Sequence, residues 1–265
     1  MPETTLAEER DLKTEDLAGK PNALALARIF TVAGRSVFDE VEWDKRIIVV
    51  KGMNGASHEE YDCEFPVFWS INASNIAGSK YFRGRIGSSS RERSVRQLIG
   101  RVARVIRGWG VEFGYFNNET EADIFGDELT HILLHQKAAF NSPVWFNVGV
   151  EDRPQSSACF ILAVEDSLPS ILEWINIEGM IFKGGSGAGI NLSALRSSKE
   201  TMSKGGRSSG PVNFMRGADS VAGMIASGGS TRRAAKMVVL NIDHPDITHF
   251  IRCKAEEEKK IRALM

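Results

Sequence analysis

The sequence predicts an α/β protein, with a mainly helical region over residues 1–140 and strands alternating with helices over 141–265. Three observations carry this. Before residue 140 the apolar residues recur at helical spacing, as in Val95, Leu98, Ile99, Val102 and Ile106. Glycine and serine become frequent from Asn141 onward. Beyond that point two short apolar runs, 159–164 and 237–242, stand apart from helix candidates at 168–179 and 211–226, which is the rhythm of an α/β unit.

The chain has 265 residues, enough for one large domain or two modest ones. Apolar residues make up 42% and charged residues 25%, so the composition is that of a globular protein and not of a disordered one. A net charge of −1 gives no global electrostatic case for nucleic acid or a membrane surface as partner. No apolar run approaches the roughly 20 residues that span a bilayer. The acidic, polar start over 1–20 is unlike a secretory or transit peptide, so a cytoplasmic protein is expected. Three cysteines, Cys63, Cys159 and Cys253, are too few and too scattered for a disulfide scaffold.

Taken in order, 1–22 reads as a disordered or loosely helical lead-in and 23–30 as a short helix. The β-branched run Ile47-Ile48-Val49-Val50 predicts a strand, followed by a polar loop over 52–60. The aromatic stretch 65–69 packs into a core, a helix follows with Asn72, Asn75 and Lys80, and 84–91 is a loop. A helix over 91–107 is expected to stop at Gly108-Trp109-Gly110. Its arginines lie opposite the apolar stripe, and the neutral chain favours a solvated face over a nucleic-acid surface. The next helix, 119–140, can be capped by Asn118, Glu119 or Thr120. His131 and His135 share one of its faces. Four apart is also metal-ligand spacing, but the His-Glu-x-x-His pattern and a third ligand are missing, so no metal site is assigned. The charged helix at 254–260 runs on to Met265 without a stop signal, which reads as a chain cut short.

Chemistry concentrates between Asn141 and Arg196. Cys159 follows Ser156, Ser157 and Ala158, small residues that let a ligand come close to sulfur. Residue types leave two readings open, a redox thiol or a strand-start cysteine that only packs. Four glycines in 184–189 form a loop whose backbone N–H groups can turn toward a phosphate, or simply a tight turn; neither the Rossmann nor the Walker spacing fits. Two further glycine-rich segments, 204–210 and 227–233, carry Arg207, Ser230, Arg232 and Arg233 and suit an anionic ligand or, equally, an exposed basic turn. They flank a helix with the stripe Val212, Met215, Ala218, Ala222 and Ile225. That stripe can pack on a second copy of itself, so a homodimer is expected.

Together, Phe140-Asn141-Ser142-Pro143-Val144-Trp145-Phe146-Asn147, the segments 155–159 and 184–191, and Ser230-Thr231-Arg232-Arg233-Ala234-Ala235-Lys236-Met237 resemble the class II, adenosylcobalamin-dependent ribonucleotide reductases. Residues 65–75 and 137–139 share the likeness, which covers the chain from about Asp39 onward. The specificity lies in the joint occurrence of these motifs in order.

The resemblance implies the first half of a ten-stranded α/β barrel behind a helical N-terminal region. It implies adenosylcobalamin as cofactor, a ribonucleotide as substrate and a thioredoxin-like reductant. Cys159 matches the family cysteine that gives electrons to the ribose and becomes a disulfide. Ser142, Ala158 and Gly187 match substrate contacts. Asp166 and Arg196 match the site of a deoxynucleotide effector. The segments holding Arg207 and holding Ser230, Arg232 and Arg233 match the loops that link effector to substrate choice. The family's thiyl cysteine, with its neighbouring Asn and Glu, and the partner of Cys159 have no match in the chain, so it is expected to lack turnover by itself. The alternative is a dimeric, non-catalytic nucleotide-binding regulatory module.

Overall fold

A computed structural model describes residues 25–51, 57–203, 205–225 and 234–265. The chain divides into two compact units, Met1–Phe140 and Asn141–Met265.

The first unit opens with an antiparallel pair, β1 (Trp43–Lys51) and β2 (Ser57–Pro66). The register slips between Arg46 and Ile48, and Asp62, with φ of 57°, sits in the resulting bulge of β2. Ile48, Cys63 and Phe65 are fully buried. A strand from Ser57 replaces the polar loop expected there; residues 52–56 lie outside the described residues. The charged character of β2 is explained by Glu60, which points inward and is buried against Arg91, Nη2 to Oε2 2.9 Å.

A short helix α1 (Ile71–Ile76) runs into a π-turn, Ala77–Tyr81. Helix α2 (Val95–Glu112) starts at a capping box between Ser94 and Gln97 and buries Val95, Leu98, Ile99 and Val102. It continues through Gly108 to Gly110, contrary to expectation. The ring of Phe116 lies where a side chain on Gly110 would be, so that glycine serves packing and not termination. Three of its four arginines are paired locally, Arg96 with Asp39, Arg101 with Glu92, and Arg107 with Glu119 and Asp123.

Helix α3 (Glu119–Leu134) is capped by Asn118, whose Oδ1 accepts from Glu121 N at 3.0 Å. It ends six residues before the expected Phe140. Gln136 takes the left-handed conformation, φ 54°, and Lys137 N donates back to Ile132 O at 2.9 Å, a Schellman closure. Residues 25–30 are not helical. The N–H groups of Ile29, Phe30 and Thr31 donate to the Glu128 carboxylate of α3 and so are withdrawn from any helix; 23 and 24 lie outside the described residues. Four rings stack in series, Phe30 on His131 (5.0 Å), His131 on His135 (4.0 Å) and His135 on Phe68 (5.2 Å).

The second unit begins with α4 (Ser142–Asn147), started by Asn141 with Pro143 in its first turn. Three strands, β3 (Cys159–Leu162), β4 (Gly187–Asn191) and β5 (Ala235–Val239), form a parallel sheet in that order. Helices α5 (Leu168–Lys183) and α6 (Gly210–Met224) connect them, and α7 (Ile247–Leu264) follows. The architecture is α/β, as expected.

One face of the sheet is covered. Ile190, Trp174, Ile171, Leu195, Ala218 and Leu240 form its core, and Phe160, Ala188, Phe182 and Ala222 a second cluster. The other face is bare, with Ile161 91% and Met237 63% exposed. The α6 stripe therefore belongs to this core. Val212, Ala218 and Ala222 are buried and Met215 and Ile225 pack alongside, so the stripe is not the free surface expected for a second copy.

Candidate functional site

Alternation along the strands places Cys159, Gly187 and Ala235 in one row on the bare face, since these three are register partners. Cys159 is exposed, whereas Cys63 and Cys253 are buried. Burial, helped by Glu60, pushes the Cys63 thiol up to about 11. The row leaves the sulfur with only a hydrogen beside it, at Gly187, and the small Ala235 one strand further on. Gly187 has little freedom to change, because an added Cβ would lie 3.1 Å from Ala235 O.

The start of β3 is held by side-chain amides. Asn147, the last residue of α4, donates to Gln155 O (2.8 Å) and Gly184 O (3.2 Å). Gln155 Nε2 donates to Ile181 O (3.2 Å) and to Ser186 Oγ (2.5 Å), and Ser186 Oγ donates to Ser157 O (2.5 Å). Gly187 N donates to Ala158 O at 2.8 Å. A Cβ on Gly184 would strike the Gln155 amide. Of the two readings of the glycine run, a phosphate-facing loop or a tight turn, its first residues take the turn. Gly184 and Gly185 turn the chain after α5, and from Gly187 the run is the central strand of the sheet.

Ala158, Cys159 and Gly187 therefore lie together, and Ser142 heads the helix that Asn147 ties to the same turn. Asp166 and Arg196 also meet: Arg196 Nε donates to Oδ2 at 2.6 Å and its backbone N to Oδ1 at 3.2 Å. Arg207 is exposed in a small loop closed by a bridge to Thr201, and no ion pair joins it to Asp166 among the described residues. Ser230, Arg232 and Arg233 lie outside the described residues.

Two buried polar groupings escaped sequence reasoning. Asp246 is 2% exposed and accepts from Ser198 N (2.8 Å), Ser198 Oγ (2.9 Å) and Ser197 Oγ (3.0 Å), directly after Arg196. His244 accepts from Asp246 N at Nδ1 (3.1 Å), so its Nε2 carries the proton given to Leu195 O (2.9 Å). Lys236 of β5 pairs with Glu178 of α5 beneath the sheet, 2.6 Å apart. The groupings join residues 49 and 58 positions apart, and no local spacing signals them.

No group of three or more His, Cys, Asp or Glu side chains suited to a metal ion occurs among the described residues. The faces of His131 and His135 are taken up by ring stacking, and both nitrogens of His244 are hydrogen-bonded. With both ring nitrogens engaged, His244 does not fit a ligand role to cobalt. No helix among the described residues is long and apolar enough to cross a membrane.

An exposed cysteine on the bare face of a parallel α/β sheet, framed by small residues, is the setting in which sequence comparison gains meaning. Residues 157–265 match the family model for the ribonucleotide reductase barrel domain, and residues 45–136 match that for class II vitamin B12-dependent ribonucleotide reductase. The chain belongs to the class II, vitamin B12-dependent ribonucleotide reductase family.

Among curated relatives, the vitamin B12-dependent ribonucleotide reductase of Streptomyces avermitilis is 57% identical over 92% of this chain and 26% of its own length. That of Streptomyces clavuligerus is 53% identical over 100% of this chain and 28% of its own length. The vitamin B12-dependent ribonucleoside-diphosphate reductase of Mycobacterium tuberculosis is 41% identical over 63% of this chain and 24% of its length. The chain spans about a quarter of the length of these relatives.

Proposed function

We propose that this chain supplies the substrate-facing cysteine and the effector pair of a ribonucleotide reductase that converts ribonucleotides to 2′-deoxyribonucleotides. The observation that carries the reading is the row Cys159–Gly187–Ala235, open on the bare face of the sheet. Removing the 2′-hydroxyl as water takes two electrons and two protons, which a dithiol supplies as it becomes a disulfide. Cys159 is one sulfur of that couple in this proposal. Ala158 and Gly187 bring backbone close to the sugar, and Ser142 offers a hydroxyl at the head of α4. Adenosylcobalamin, when bound, supplies the radical.

Cys63 and Cys253 are buried, so within this chain Cys159 alone can meet a substrate. The second sulfur of the couple and the radical-bearing thiol must come from outside these 265 residues, and the chain by itself is proposed not to turn over. The name of the mycobacterial relative supports a diphosphate substrate. Asp166 and Arg196, fixed to each other and exposed, are the proposed anchor for a deoxynucleotide effector that selects the substrate.

The test is protection. A ribonucleoside diphosphate added to the chain should slow maleimide labelling of Cys159, and Asp166→Ala should weaken binding of a deoxynucleoside triphosphate while leaving that protection in place. In the complete enzyme with adenosylcobalamin and a thiol reductant, Cys159→Ser should abolish multiple turnover. Sustained turnover in that variant would remove Cys159 from its role.

A further inference from the structure

We propose that the ion pair between Lys236 and Glu178 is the register key of β5, which keeps Ala235, and not Met237, in the row of Cys159. Its importance for chemistry rests on the reading of Cys159 given above; the register itself does not.

The pair sits in an apolar core. The side chains are 9% and 2% exposed, with Lys236 Nζ 2.6 Å from Glu178 Oε2. The ammonium also lies 5.7 Å from the Trp174 ring centroid and 6.0 Å from that of Phe182. Trp174, Glu178 and Phe182 follow one another at four-residue spacing along α5, so one helix face forms the whole cradle. Among the described residues Glu178 Oε1 and Trp174 Nε1 have no hydrogen-bond partner. An incompletely satisfied buried pair is a poor source of stability, since apolar residues of similar volume often do as well or better. Fixing a unique arrangement is the better-attested use of such a pair.

The sequence of β5 shows why one is needed. Ala234, Val238 and Leu240 pack toward the helices, while Ala235, Met237 and Val239 face the other way. Both faces are apolar. A slip of two residues keeps every side chain on its face and is invisible to the hydrophobic pattern. Such a slip moves the strand about 7 Å along its axis. In one direction it sets Met237 opposite Gly187, where its long side chain would reach across the glycine toward the Cys159 sulfur, a distance the Ala235 methyl group does not cover. Lys236 is the one charged residue of β5, and the slip takes it away from Glu178. A slip of one residue would turn it out of the core altogether. Only the observed register, Gly187 with Ala235 and Ala188 with Lys236, joins the charges.

The experiment removes the key without removing the fold. The variant Lys236→Met/Glu178→Leu of this chain is compared with the unaltered protein by thermal unfolding and by the time course of maleimide labelling at Cys159. The unaltered protein should label in a single phase. The double variant should melt at the same temperature or higher, yet label in two phases, the slower reduced several-fold. A single phase at the unaltered rate overturns the proposal. Should the double variant fail to fold, Glu178→Gln, which keeps the shape and removes the charge, is read the same way. Substrate protection in the unaltered chain separates the two ideas. If a ribonucleoside diphosphate does not shield Cys159, the functional reading falls, while two-phase labelling in the variant still establishes the register key.

Discussion

Replacing Asp246 with alanine should destabilise the second unit severely. The carboxylate is 2% exposed and accepts three hydrogen bonds from Ser197 and Ser198, one of them from a backbone N–H that has no rotational freedom to find another partner. Hydrogen bonds to a charged group contribute about 1.5–3 kcal/mol each and do not add fully, so a loss of roughly 3–5 kcal/mol is expected. For a unit of this size that is a fall of ~10 °C or more in melting temperature. Asp246→Asn, which keeps one acceptor oxygen, should lose less. The same group sets an acid limit. Burial alone would raise its pKa, but the Ser198 and Ser197 donors and the nearby His244 outweigh burial and hold it below the ordinary 3.8. Its contribution is therefore full above about pH 4 and disappears as pH falls through the lower folded value. Unfolding in urea at several pH values measures both effects. A loss under about 1 kcal/mol for Asp246→Ala would refute the reasoning.

Other outcomes follow from the same geometry. Gly187→Val should slow labelling of Cys159 several-fold, because the new side chain lies in the thiol's row with its Cβ 3.1 Å from Ala235 O; titration with a thiol reagent checks this. Of the three cysteines, Cys159 should react first in the native protein, with Cys63 silent until unfolding; mass spectrometry of the labelled peptides reads this directly. Burial lowers the pKa of both His131 and His135, and for His131 the neighbouring His135 adds to the effect. The stacked pair therefore supports the fold fully above the free value of 6.5, and that support is lost as pH falls through the lower folded values. His131→Phe should flatten the stability profile between pH 7 and 5 in urea unfolding.

Much of the fold could be read from local chemistry. Asn118, one of the three caps expected for α3, does start that helix, and Ile47 to Val50 announced β1, whereas α2 begins at Val95 behind its Ser94–Gln97 capping box and not at 91. The misses share a cause. The strand β2 turns Glu60 inward, tolerable only because Arg91 meets it from 31 positions away, so its pattern looked like a loop. The glycine run looked like a loop because glycine disfavours strands; here its bareness is what a crowded central strand beside Gln155 and Ala235 requires. The α6 stripe was visible, but sequence cannot tell a stripe used within the chain from one offered to another. Cys159 was legible as a strand start from the apolar run it heads. The amide network of Asn147, Gln155 and Ser186 that steadies it was not, since its members come from three separate segments.

The sheet order β3-β4-β5 also has a practical side. Only β4 has neighbours on both sides, so the outer rims of β3 and β5 carry backbone donors and acceptors that no strand satisfies among the described residues. Exposed rims beside a greasy surface bearing Ile161 and Met237 are a template for sticking to other chains. Purified alone, this polypeptide should precipitate with rising concentration, and a lysine in place of Ile161 should keep it in solution.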